Sequence, residues 1–78
     1  MILSTNVKRV ASVETGRNRR IVIERDLDRG ALYLRGEVQG DDGQWEQRGV
    51  SIVPKWALIQ FVGAVNDALA EALQEGAA

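Results

Sequence analysis

From Val7 to Val53 apolar and polar residues alternate in four short runs, and after Pro54 the apolar spacing lengthens to three and four. A period of two belongs to a strand and a period of 3.6 to a helix, so four strands followed by one helix are predicted. The first run is Val7–Glu14, with Val7, Ala11 and Val13 on one side and Lys8, Val10 and Ser12 on the other. In the second, Arg19–Arg25, Ile21 and Ile23 oppose Arg20, Val22 and Glu24; in the third, Ala31–Gln39, Leu32, Leu34, Gly36 and Val38 oppose Ala31, Tyr33, Arg35 and Glu37. The fourth, Trp45–Val53, sets Val50 and Ile52 against Trp45, Gln47, Gly49 and Ser51. Thr15–Asn18, Asp26–Gly30 and Gly40–Gly43 separate the runs with residues that favour turns. Short turns between successive strands give an antiparallel meander.

Pro54 suits the first position of the helix, because it lacks the N–H that would be unpaired there and its φ is already near helical. Leu58, Phe61, Val62, Val65, Leu69 and Leu73 then share one face, and Gly76 offers a stop after Glu75. The expected architecture is α+β, a single domain over residues 1–78 with the sheet at about 7–53 and one long C-terminal helix at about 54–75 (ββββα). With the helix laid across the sheet, the inner face would be Ile21, Ile23, Leu32, Leu34, Val38, Val50 and Ile52.

The helix carries more apolar surface than one sheet face needs. Trp56, Ile59, Gly63 and Ala70 form a second row beside the main stripe, and Gln60, Asp67, Glu71 and Gln74 form the polar strip. Burying a side chain such as Trp56 or Ile59 contributes roughly 1.5–3 kcal/mol, a large share of the stability of so small a domain. The expectation is a homodimer with Trp56, Ile59, Gly63 and Ala70 at its interface; the alternative is that the first strand or Ile2 and Leu3 cover this row.

Composition narrows the chemistry. The 78 residues contain no cysteine and no histidine, which removes disulfides, thiolate metal sites and the commonest general base. The serines have no base to activate them, there is no glycine-rich phosphate loop, and the carboxylates are expected in turns or on exposed positions. Asp26 with Asp28, or Asp41 with Asp42, would bind a hard cation only adventitiously. No enzyme, no cofactor and no metal is therefore expected. The start of the chain lacks the pattern of a signal peptide and no stretch has the apolar length of a membrane span, so the expected location is cytoplasmic.

Charge is unevenly placed within a formal net of −1. Residues 1–39 hold eight basic and five acidic side chains, a net of +3, whereas residues 40–78 hold two and six, a net of −4. On the face away from the helix, Tyr33, Arg35 and Trp45 would stand with Arg20 and Gln47 as neighbours. Rings and guanidinium planes on an open sheet stack bases at about 1–3 kcal/mol each, while arginines meet phosphates. The same Tyr and Trp also fit a plainer role as cross-strand partners shielding backbone.

Arg48–Ile52 followed by Pro54, Lys55, Trp56 and an apolar helix resembles the single-stranded nucleic-acid-binding modules of the transcriptional positive cofactor four family. Arg20–Glu24 leading through Arg29 and Gly30 to Ala31–Leu34 is similar to the purine-rich-element-binding (PUR) repeat. These resemblances imply a dimer whose sheets bind single-stranded DNA or RNA and whose helices meet. They carry over Arg48 and Gly49 from one match and Arg20, Arg29 and Gly30 from the other. Together with the face argument, the expected nucleic-acid-binding set is Arg20, Arg29, Tyr33, Arg35, Trp45, Arg48 and Lys55, in a non-enzymatic transcription or repair accessory. The acidic net charge favours an alternative, a dimeric protein-interaction module of the same fold that binds no nucleic acid.

Overall fold

The computed structural model describes residues 6–76. Four strands, β1 (Val7–Gly16), β2 (Arg19–Asp26), β3 (Leu32–Gln39) and β4 (Trp45–Val53), form one antiparallel sheet in the order β1-β2-β3-β4. A 3-10 turn at Lys55–Ala57 and the helix α1 (Leu58–Gly76) follow. The α+β class, the meander and the C-terminal helix agree with the sequence pattern.

The turns are built where the chain can take positive φ. Asn18 at φ 58° sits in the β1–β2 turn, Gly30 at 71° in the β2–β3 loop and Gly43 at 81° in the β3–β4 loop. The β2–β3 loop is tied by Asp26, whose carboxylate accepts the amide N–H groups of Asp28 (2.9 Å) and Arg29 (3.0 Å) while its backbone C=O accepts that of Gly30 (2.9 Å). Such an Asx turn replaces ladder bonds that the reversing backbone cannot make.

The pairing shifts register at three places, one of them at Thr15 beside the β1–β2 turn, and the other two decide which residues share a face. In β1 the pairing jumps from Arg9↔Glu24 to Ala11↔Ile23, leaving Val10 as the extra residue. Val7 is thereby placed on the face opposite Ala11 and Val13, which corrects the simple alternation along this strand. In β4 the pairing jumps from Gly36↔Gly49 to Glu37↔Gln47, with Arg48 as the extra residue. A bulge inserts one residue and resets the alternation of everything beyond it.

One face therefore carries Ala11, Val13, Ile21, Ile23, Leu32, Leu34 and Val38. Val50 and Ile52 do not join it: they stand opposite Arg35 and Tyr33, on the other face, with Trp45 and Gln47 beyond the bulge. The expected inner set is corrected on this point, and Ser51 and Gly49 occupy the positions beside Leu34 and Gly36 instead.

The larger correction concerns α1. No strand makes a substantial contact with it, and none of its residues is buried. Pro54 is extended (φ −67°, ψ 157°) rather than helical, its C=O accepting the N–H of Ala57 at 2.9 Å, so the α-helix begins only at Leu58. The helix does not lie across its own sheet. Val62, Val65, Leu69 and Leu73 on its main stripe are 49–65 % exposed, and the sheet's apolar face is open too, with Val13 51 % and Ile21 39 % exposed.

Of the buried residues, Val22, Tyr33 and Asp26 lie on the other face, Ala31 precedes β3, and Val53 stands opposite Leu32 at the end of β4. Val22 has no exposed surface although no helix covers it. Long side chains do so instead.

Candidate nucleic-acid interface

The face that carries Val22 alternates basic and acidic side chains along β2 and β3. Arg20 stands opposite Glu37, Val22 opposite Arg35 and Glu24 opposite Tyr33. Arg20 donates from Nε to Glu37 Oε1 at 2.7 Å, and Arg35 donates from Nε to Glu24 Oε1 along the diagonal. All four side chains are only 12–19 % exposed, so the two pairs lie flat and roof over Val22. Ion pairs shielded in this way are screened less by salt than surface pairs, and each guanidinium is held in a fixed plane.

The aromatic residues attach to the same layer. The Arg20 guanidinium carbon lies 4.0 Å from the centre of the Trp45 ring, within the range of a cation–π contact. Arg35 sits 5.8 Å from the Tyr33 ring centre and donates from Nη1 to Gln47 Oε1 at 2.5 Å. Arg20, Tyr33, Arg35, Trp45 and Gln47 thus occupy one face, and the bulge at Arg48 is what brings Trp45 and Gln47 onto it.

Tyr33 has a different part from the one expected. It is 2 % exposed and its hydroxyl donates to Asp26 Oδ2 at 2.6 Å, which leaves no open ring face for a base. Asp26, expected as a solvated turn acid, has no exposed surface either. The Tyr33 hydroxyl holds the Asp26 carboxyl below the ordinary carboxylate range; burial pushes the other way, and the Arg29 and Asp28 amides and the Arg29 charge assist the lowering. Asp26 and Tyr33 lock the β2–β3 loop to the sheet.

That loop forms one wall of an open cleft of about 260 Å³ lined by Arg29, Ala31, Tyr33, Ile52, Pro54, Lys55 and Trp56. Arg29, Lys55 and Trp56 are exposed there, Trp56 at 84 %. Gly30, at φ 71°, lies against the same lysine, and a Cβ on it would stand 3.1 Å from Lys55 Cδ. Two of the expected basic residues, Arg29 and Lys55, therefore line one cleft with the Trp56 indole. Arg48 does not join either group. As the bulged residue it pairs with Glu46 at 3.1 Å, and Glu46 stands opposite Val38 on the apolar face.

The residues expected at a dimer interface, Trp56, Ile59, Gly63 and Ala70, are all exposed, Ile59 at 90 %. Ile2 and Leu3, the alternative cover for that row, lie outside the described residues. Among the described residues no group of three or more acids gathers as a metal site, and no helix is long and apolar enough to cross a membrane.

Sequence reasoning missed the acids of this face. Glu24 and Glu37 neutralise Arg35 and Arg20, a pairing that depends on the β2–β3 register, and register was not readable from the alternation. The signal for Asp26 was present, in an Asp followed by Asp28 and Gly30 with a tyrosine seven residues on, but the seven-residue reach becomes a contact only once the hairpin closes. No protein-family model, no curated protein and no solved structure matches the chain.

Proposed function

We propose that the chain is a non-enzymatic protein that binds single-stranded DNA or RNA across the polar sheet face. The observation that carries this reading is the Arg20–Trp45 stack on a face no element of the described chain covers. A base can take the place of the guanidinium on the indole, and the displaced Arg20 then has a phosphate within reach as its new partner. Stacking of this kind accepts any base, because every base has a π-face. Arg29 and Lys55 add a cationic end near the far end of β4, about 25 Å along the strand at some 3.3 Å per residue.

A second reading rests on a different observation. Arg20 and Arg35 are each matched by a glutamate, so the face offers little uncompensated positive charge. Affinity that is independent of sequence comes mainly from cations releasing counterions at phosphates. A protein-interaction module of the same fold is what remains if those pairs do not open.

Anisotropy of a fluorescent oligo-dT of about thirty nucleotides, titrated at roughly 50 and 200 mM salt, separates the two readings. Nucleic-acid binding predicts salt-sensitive affinity, a loss on Trp45→Ala of about 5–150-fold for a stack of roughly 1–3 kcal/mol, and a smaller loss on Trp56→Ala. Glu24→Gln with Glu37→Gln frees both arginines, and is expected to tighten binding and steepen its salt dependence. A flat titration for all of these proteins would overturn the nucleic-acid reading in favour of protein interaction.

A further inference from the structure

We propose that α1 of one copy packs across the apolar sheet face of a second copy, and reciprocally, so that the protein is a homodimer joined by exchanged helices. This goes beyond the ligand reading and does not depend on it.

Surface area gives the first argument. A compact monomer of 8.6 kDa exposes about 4,700 Å², whereas this chain exposes 6151 Å². The excess of roughly 1,400 Å² per chain is more than the ~800 Å² that each partner contributes to a stable interface of ordinary size. Its radius of gyration of 14.7 Å likewise exceeds the ~11.5 Å of a compact chain of this length. The chain is therefore extended by more than one interface of ordinary size removes.

The second argument is complementarity. One chain presents both halves of a helix-on-sheet core without joining them: the stripe Leu58, Val62, Val65, Leu69 and Leu73 on α1, and the open sheet face centred on Ile23 and Leu34. The 19-residue helix is about 28 Å long, and strands of eight to ten residues span some 26–33 Å, so the stripe matches the face in length.

The occupant follows from what one chain leaves uncovered. α1 makes no substantial contact with its own sheet, and Val62, Val65, Leu69 and Leu73 of its stripe are exposed. A second copy offers an identical face and an identical stripe, and a two-fold arrangement satisfies both at once and closes. Simple helix-to-helix pairing would bury the stripes and leave both sheet faces in water.

The chain has no native cysteine, so introduced thiols report cleanly. Ile23→Cys/Val65→Cys and the single variant Val65→Cys would be treated with a short bis-maleimide and run on a denaturing gel, with light-scattering mass measured on the untreated wild-type chain. Exchange predicts a wild-type mass of about 17 kDa, twice the 8.6 kDa chain, with the double variant linked into dimers and the single variant remaining a monomer band. A double variant that closes within one chain would show α1 folded back on its own sheet. A single variant that links to itself would show helices meeting helices, and a wild-type mass of one chain would show no dimer. Each of these three results would overturn the proposal.

Discussion

Val22→Ala tests the roof of ion pairs directly. Val22 has no exposed surface, and its neighbours on that face are the Arg20–Glu37 and Arg35–Glu24 pairs rather than a second layer of structure. Removing its two methyl groups forfeits about 1.6 kcal/mol of transfer free energy at roughly 0.8 kcal/mol each. A residual cavity of some 25 Å³ adds about 0.6 kcal/mol at ~24 cal/mol per Å³. The total of about 2 kcal/mol is large beside the ~4–12 kcal/mol that a chain of this length holds, and corresponds to a fall in Tm of roughly 8–16 °C. The control is Val10→Ala, the same chemical change at the bulged residue, which is 57 % exposed; it should cost no more than about 0.5 kcal/mol. Both variants would be melted by circular dichroism at one fixed protein concentration, because stability in an associating protein depends on concentration. Equal shifts for the two would refute the reasoning, since they would mean that Val22 is not enclosed and that β2 is paired in a different register.

Two further substitutions examine the β2–β3 loop. Tyr33→Phe removes the hydroxyl that lowers the Asp26 pKa. A carboxylate whose folded pKa is depressed contributes stability that is present above its unfolded value near 3.9 and is lost as pH falls through the folded value. The gap in Tm between wild type and Tyr33→Phe should therefore be wide at pH 7 and narrow below about pH 4; a gap that stays constant over that range contradicts the assignment. Gly30→Ala places a Cβ on a residue at φ 71° and within 3.1 Å of Lys55 Cδ, and a lowered urea midpoint worth about 1–2 kcal/mol is expected. An unchanged midpoint would mean that the loop is free to take another shape.

Local chemistry set the elements. The alternation of Ile21 and Ile23 with Arg20, Val22 and Glu24, the turn residues at Asn18, Gly30 and Gly43, and the three-four spacing from Leu58 to Leu73 each act over a few residues, so strand, turn and helix could be placed from sequence. The same holds for the start and end of β4 at Trp45 and Val53. What could not be placed was anything that depends on one strand meeting another. The bulge at Val10 shows in the sequence only as an imperfect alternation, with Arg9 on the side of Val7, and the bulge at Arg48 leaves no mark, yet the second decides that Trp45, Gln47, Val50 and Ile52 share a face with Arg35.

The site divides along the same line. Sequence supplied the residue types, and Arg20, Arg35, Trp45 and Gln47 do come together on one face. Tertiary structure decided which of them are open. Tyr33 is spent on Asp26, and Glu24 and Glu37 hold the arginines, because a hairpin register sets those partners at hydrogen-bond distance. Amphipathicity of α1 was legible, but its destination was not: a stripe such as Val62, Val65, Leu69 and Leu73 states that something apolar must cover it, while only the tertiary structure shows that its own sheet does not. Periodicity is a property of one segment, and covering a face is a property of two.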